Sequence, residues 1–223
     1  MRVLVVGSGK LATEVLEMKL PPSYQVLPWE DANEVPSKSV VVHAGSGRQI
    51  PEALAFCRQT NSTLIELSTG TSLRPESHGF PIVVCPNVNV LMLKFMNMLR
   101  ASGHLFRDCD ISLTESHQAT KTSVPGTAVN IAGYLSISPN SIRSVRDTDE
   151  QIREFEVPQE NLSRHAIHRI QIRDGDCTLD FESRVIGMSP YAQGTAQIVQ
   201  AVGSKQLESR YFSIMDLIDA NWI

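Results

Sequence analysis

A chain of 223 residues with a formal net charge of −4 is long enough for one large or two small domains with an adequate core. It carries no run of like charges, so neither nucleic acid nor an anionic membrane is expected as a partner. No apolar stretch reaches spanning length and the start lacks a signal-peptide pattern, which predicts a cytoplasmic protein.

The first residues form an aliphatic, β-branched run that passes directly into Gly7-Ser8-Gly9-Lys10-Leu11-Ala12 and a helical stretch. This is G-x-G-x-x-A between a strand and a helix, the setting of a dinucleotide fingerprint. Gly7 makes the tight turn, Gly9 lets the backbone approach a pyrophosphate, and Ala12 permits close packing of helix on strand. Lys10 and Leu11, at the helix start, belong to the same expected cofactor site. A glycine turn in some other α/β protein is the competing reading. A second strand at 24–28 leads into Trp29-Glu30-Asp31, where an acidic side chain would meet the adenosine ribose 2′-hydroxyl. Glu30 is the candidate, and the lack of a nearby arginine favours NADH over NADPH. The Pro28-Trp29 irregularity leaves the register open, and Glu30 also reads as a solvated loop carboxylate.

Strands at 40–43, 63–67 and 81–85, with a helix at 51–59, continue a βαβ series and predict a parallel sheet with right-handed crossovers. Two loops leave the carboxyl ends of these strands, His43-Ala44-Gly45-Ser46-Gly47 and Ser68-Thr69-Gly70-Thr71. A ligand sits over those ends in an open parallel sheet, so Ala44, Gly45, Ser68, Thr69 and Gly70 are expected to border the nicotinamide. The glycines also read as simple turn formers.

Beyond residue 89 a helix at 91–100 is followed by strand-like stretches at 110–115, 142–146, 152–157, 166–172 and 177–185, which predict a mostly antiparallel sheet. Helices at 193–202 and 212–218 follow. The expected fold class is therefore α/β: a Rossmann-type parallel-sheet domain plus an α+β domain with a mostly antiparallel sheet. The boundaries are 1–89 for dinucleotide binding, 90–190 for substrate binding and oligomerisation, and 191–223 for C-terminal helices returning to the first domain.

Cys57, Cys85, Cys109 and Cys177 lie scattered, most in apolar surroundings, and read as reduced, buried thiols. No disulfide and no metal site is expected. His165 and His168, three apart on a strand, face opposite ways and do not share a metal, while either one alone is free to line an active site.

The most informative stretch runs from Glu115 to Ala128 and holds His117, Lys121 and the turn Val124-Pro125-Gly126 ahead of a helix beginning at Thr127. Exposed N–H groups at a helix start favour a bound carboxylate. A lysine or histidine beside them pairs with charge or passes on a proton. A solvated loop before an ordinary helix is the plainer reading.

These residues resemble the 4-hydroxy-tetrahydrodipicolinate reductases, also called dihydrodipicolinate reductases. Gly7-Ser8-Gly9 matches the family's glycine fingerprint, and Leu67-Ser68-Thr69-Gly70 is similar to its G-T-T-G loop. Cys85-Pro86-Asn87 is similar to its A-P-N segment, which adds Pro86 and Asn87 to the expected cofactor site. Residues 115–128 look like its signature E-x-H-H-x-x-K-x-D-x-P-S-G-T-A, and Tyr191-Ala192-Gln193-Gly194-Thr195 resembles its F-A-x-G-A. The resemblance implies His117 and Lys121 as the catalytic pair, in either order of proton donation. It places Gln118, Gly126 and Thr127 on the substrate, a cyclic dicarboxylate, with an arginine such as Arg184 assisting. It also implies NADH or NADPH as cofactor, a role in lysine and diaminopimelate biosynthesis, and a homotetramer.

Departures from the family pattern remove positive charge. The second histidine is Gln118, the following basic residues are Ala119 and Thr120, the aspartate is Ser123, and a serine before Gly126 is absent. Two other readings therefore stand beside the first: a reductase of the same fold for a less acidic imine or carbonyl, and a dinucleotide-binding protein without catalysis.

Overall fold

A computed structural model describes residues 1–34, 36–74, 78–122, 124–187 and 191–223. The chain forms two compact units, one of Met1–Leu93 with Tyr191–Ile223 and one of Lys94–Pro190. In chain order its strands and helices are β1 (Arg2–Val6), α1 (Lys10–Leu16), β2 (Gln25–Pro28), β3 (Ser39–His43), α2 (Ile50–Thr60), β4 (Thr63–Glu66), β5 (Ile82–Val84), α3 (Val90–Ser102), β6 (Asp110–His117), α4 (Gly126–Tyr134), β7 (Arg143–Val145), α5 (Thr148–Phe155), β8 (His165–Asp174), β9 (Cys177–Ile186), α6 (Ala192–Gly203), β10 (Tyr211–Ser213) and α7 (Ile214–Asp219).

The first unit is a six-stranded sheet in the order β10-β5-β4-β3-β1-β2, parallel throughout. Its central strands are uninterrupted apolar runs because both faces are covered. Val3, Val5, Ile65 and Val83 meet α1, α6 and α7 on one face, and Leu4, Val6, Val41, Leu64 and Ile82 meet α2, Trp29 and Phe80 on the other. Each such side chain removed from water contributes about 1.5–3 kcal/mol. Two buried contacts tie residues 191–203 into this unit. The Glu14 carboxylate accepts the N–H groups of Tyr191 at 2.5 Å and Ala192 at 2.9 Å, at the start of α6. A Cβ on Gly194 would lie 1.8 Å from the Val88 carbonyl oxygen, so only glycine lets the first turn of α6 rest there.

The second unit holds a four-stranded sheet, β7-β6-β8-β9. β6, β8 and β9 are antiparallel, and β7 runs parallel to β6. The sheet is thus mixed and mostly antiparallel. β8 and β9 are joined by the two-residue turn Gly175-Asp176, with Asp174 opposite Cys177.

Two expected elements are corrected. The stretch 152–157 is not a strand; most of it is the end of α5. The Asp147 carboxylate accepts the Glu150 N–H at 2.8 Å and nucleates the helix. Gln151 and Phe155 then turn inward one helical turn apart, and Ile152 is left outside. At the other end, Phe212 lies in β10, the edge strand beside β5; the helix starts only at Ile214, behind a capping box of Ser213 and Asp216. The four cysteines are free; against the expectation of buried thiols, Cys109 is half-buried and Cys177 is exposed at the hairpin. Cys57 and Cys85 are buried, and burial pushes the Cys57 thiol up to about 12.

Candidate active site

In the first unit the expected cofactor residues gather at the carboxyl ends of β1, β3, β4 and β5. The strand order reverses at β1, with β2 on one side and β3 on the other, which is where an open parallel sheet binds its ligand. Gly7 has φ +125°, and a Cβ there would lie 2.8 Å from the Ala44 carbonyl oxygen. Glycine is therefore required for the loops after β1 and β3 to touch. Gly9 caps α1 in extended conformation; a Cβ on it would meet nothing within 4 Å. Lys10 is exposed and Leu11 half-buried at the start of α1. Glu30 is exposed in the short 3-10 turn Trp29–Glu34 that follows β2.

Ala44 is buried, and a Cβ on Gly45 would come within 2.9 Å of both the Arg48 carbonyl oxygen and His43 Nε2. The Ser68 N–H donates to Glu66 Oε1 at 2.7 Å. The Ser68 hydroxyl is buried with no partner among the described residues. Thr69 and Gly70 are exposed, Gly70 with φ +74°. Pro86 is exposed beyond β5. Asn87 Oδ1 accepts the Asn89 N–H at 2.9 Å and so shapes the entry to α3.

In the second unit β6 ends at His117. Glu115 and His117, two apart on a strand, share a face. Glu115 is fully buried, and its Oε2 lies 2.7 Å from His117 Nδ1. Arg146, immediately after β7, grips the same carboxylate with both nitrogens, Nη1 to Oε2 at 3.0 Å and Nη2 to Oε1 at 2.6 Å. Its Nε donates to the Lys121 carbonyl oxygen at 2.9 Å, and the Lys121 N–H donates to the Gln118 carbonyl at 2.9 Å. Gln151 Nε2 from α5 donates to the His117 carbonyl at 2.7 Å. The strand end and the turn that follows it are thus held by one arginine and one glutamine.

Burial pushes the Glu115 carboxyl up, but hydrogen bonds from His117, Arg146 and Ser144 overcome it and hold the group at about 2. Glu115 is therefore an anion that only accepts. His117 Nδ1 donates to it, and Nε2 is left as the nitrogen able to exchange a proton with a ligand. His168, opposite Glu115 in β8, sets its ring edge-on to His117 with centroids 5.5 Å apart. Burial, with the His117 charge adding to it, lowers His168 to about 4 and keeps it neutral. His165 faces the other way, with Nε2 2.9 Å from Ser116 Oγ.

Gln118, Ala119 and Thr120 are exposed, and Lys121 is half-buried. Ser123 lies outside the described residues. Gly126 opens α4, with Pro125 as its N-cap residue and no side-chain cap among the described residues. Gly126 is exposed and Thr127 half-buried. Arg184 does not join His117: its guanidinium donates to the Phe155 carbonyl at 2.5 Å and the Glu156 carbonyl at 3.2 Å, at the carboxyl end of α5, and to Glu182 at 2.8 Å. The arginine beside His117 is Arg146.

Sequence reasoning misses the roles of Glu115, Arg146 and Gln151, and of the two histidines free to line the site it is His168 that stands against His117. Glu115 carries a usable signal, its spacing of two from His117 on a strand. Arg146 carries none, because it reaches Glu115 only through the pairing of β6 with β7, and which of His165 and His168 faces His117 is set by the pairing of β6 with β8.

No family model matches the chain. It is 30% identical over 148 residues to the probable chloroplastic 4-hydroxy-tetrahydrodipicolinate reductase 1 of Oryza sativa subsp. japonica, covering 61% of this chain and 43% of that protein. It is 28% identical over 150 residues to the chloroplastic 4-hydroxy-tetrahydrodipicolinate reductase 2 of Arabidopsis thaliana, with the same coverage, 61% and 43%. The match thus spans less than half the length of either relative. The dipicolinate-bound dihydrodipicolinate reductase of Paenisporosarcina sp. TG-14 superposes with a TM-score of 0.69 at 16% identity, over 98% of this chain and 99% of that one. Over part of its length the chain is similar in sequence to 4-hydroxy-tetrahydrodipicolinate reductases, and over nearly all of its length it shares the fold of a dihydrodipicolinate reductase.

Proposed function

We propose that the chain reduces 4-hydroxy-tetrahydrodipicolinate, or a close cyclic imine, to tetrahydrodipicolinate at the expense of NADH or NADPH. The carrying observation is the Glu115, His117 and Arg146 constellation at the head of the Lys121 turn. It fixes a histidine with one nitrogen committed to a buried carboxylate and the other available. The relatives in sequence are reductases of this substrate, and the solved neighbour holds dipicolinate.

The residues present fit a dinucleotide. Gly7 has no room for a side chain, Gly9 has room that no protein atom fills, and at the end of β4 the Ser68 hydroxyl is buried with no partner among the described residues. Gly7, Gly9, Lys10, Leu11 and Glu30 would hold the adenosine and pyrophosphate half. Ala44, Gly45, Ser68, Thr69, Gly70, Pro86 and Asn87 would hold the other half. A bound reduced nicotinamide supplies a hydride.

The chain's own contribution is charge and proton placement. Glu115 holds Nδ1 of His117 and so orients the ring, leaving Nε2 to exchange a proton with a ring nitrogen or a departing hydroxyl. Lys121, on a turn anchored through its own carbonyl, offers a cation to a substrate carboxylate. The first N–H groups of α4, at Gly126 and Thr127, add partial positive charge of the same sign.

The exposed Gln118, Ala119 and Thr120 supply no cation, which favours as second reading a less acidic substrate on the same machinery. The test is the loss of nicotinamide absorbance when purified protein meets the condensation product of pyruvate and aspartate semialdehyde, with NADH and NADPH in turn. Rapid oxidation supports the first reading. Tight dinucleotide binding without oxidation removes it and leaves a different substrate or a dinucleotide-binding protein without catalysis.

A further inference from the structure

His43 and Glu66 end the adjacent strands β3 and β4, register partners in the sheet, with side chains 0% and 1% exposed. His43 Nδ1 lies 2.7 Å from Glu66 Oε2. His43 Nε2 lies 2.7 Å from the Arg48 carbonyl oxygen, which can only accept, so Nε2 carries a proton. Glu66 Oε1 accepts the Ser68 N–H at 2.7 Å, so that oxygen is not the protonated one. The Nδ1 to Oε2 contact is short, and a bare Nδ1 lone pair facing a carboxylate would be repelled, so one proton lies between them. An imidazole nitrogen is more basic than a carboxylate oxygen, and with the proton on Nδ1 the pair is an imidazolium against a carboxylate. Burial pulls the His43 basicity down, but Glu66 and the Arg48 carbonyl together raise it above its ordinary value.

This pair does more than fill the sheet. One end reaches the loop after β3 through the Arg48 carbonyl, and the other reaches the loop after β4 through the Ser68 N–H. Gly45 is pressed against the His43 ring, since a Cβ there would lie 2.9 Å from Nε2. The two loops thus share one buried strut, and they carry Ala44, Gly45, Ser68, Thr69 and Gly70. We infer that the His43–Glu66 imidazolium–carboxylate pair is a positioning device that sets the spacing of these two loops for the nicotinamide half of the dinucleotide. The inference rests on the dinucleotide reading above.

The test compares NADH with ADP-ribose, which lacks the nicotinamide, by titration calorimetry on the full chain and on His43→Gln and Glu66→Gln. Both ligands should bind the unaltered protein. Either substitution should weaken NADH about tenfold, the scale of one lost charge-assisted hydrogen bond, and leave ADP-ribose within about twofold. An equal loss for both ligands, or no loss for NADH, overturns the positioning role. Failure of the unaltered protein to bind either ligand overturns the dinucleotide reading itself, and the inference with it. Should His43→Gln fail to fold, Glu66→Gln and one measurement on the unaltered protein decide. Nitrogen-15 spectra of the His43 ring should show both nitrogens protonated at neutral pH, and a singly protonated ring refutes the pair.

Discussion

Replacing Glu115 by glutamine isolates the charge that organises His117. Glutamine is nearly isosteric with the protonated acid, so the variant imitates the protein after Glu115 has taken up a proton. The carboxyl is fully buried and held at about 2 against an ordinary 4.5, a displacement that corresponds to about 3 kcal/mol in favour of the ionised form. A carboxyl lowered on folding contributes stability that is complete above 4.5 and is lost as the pH falls through about 2. At pH 7 the variant should therefore be about 3 kcal/mol less stable than the parent, and near pH 2.5 the gap should shrink below about 1 kcal/mol. Urea unfolding followed by far-ultraviolet circular dichroism is the suitable assay. Trp29 and Trp222 both lie in the first unit, so tryptophan fluorescence would miss the element being probed. A gap that stays the same at both pH values, or one under about 1 kcal/mol at pH 7, would refute the claim that Glu115 is an anion paired with Arg146 and His117.

Lys121→Ala should lower turnover by about 10²–10³-fold while NADH affinity is unchanged; steady-state rates alongside NADH titration check it, and near-parental turnover would remove Lys121 from the chemistry. His168 is held at about 4 in place of 6.5, so the folded state binds fewer protons than the unfolded one between those values. Stability should therefore fall by up to about 3 kcal/mol on acidification through that window. His168→Phe should flatten that slope in unfolding curves taken at pH 7, 5.5 and 4, and an unchanged slope would disprove the assignment. Gly7→Ala, with a positive φ and an oxygen 2.8 Å from the new methyl, should cost about 2 kcal/mol or more. Gly9→Ala, which meets no protein atom, should leave stability within about 0.5 kcal/mol and still weaken NADH. Thermal melts and NADH titrations of the two variants separate a glycine required by the fold from one required by the ligand.

The parallel sheet was legible because β1, β3, β4 and β5 are short apolar runs, the first three with glycine-bearing loops at their carboxyl ends, and each such signal is local. The mostly antiparallel sheet was legible from the succession of short strand-like stretches at 110–115, 166–172 and 177–185. The sequence reading erred at residues 152–157, where the Asp147 cap outweighs an apparent alternation, and at Phe212, where a strand of three residues is too short to show a period. The site divides in the same way. His117 and Lys121 sit in one contiguous motif and were visible. Arg146 and His168 are brought to them by strand register, which no local pattern encodes. Gly194 was quoted for its resemblance alone, and its physical reason, the oxygen of Val88, emerged only from packing.

The sheet of the first unit is built from both ends of the chain. β10 completes it beside β5, and the Glu14 carboxylate accepts the N–H groups of Tyr191 and Ala192 from the far end of the sequence. During synthesis β1 to β5 exist long before either partner, whereas the second unit, continuous in sequence, has all its strands once β9 is made. The N-terminal sheet must therefore carry an open β5 edge while the following unit is translated and folds. An exposed edge of parallel strands is an invitation to pair with another chain, and slow closure lengthens the exposure. The order of translation thus sets the interval of greatest aggregation risk, and that interval closes only when α6 and β10 dock.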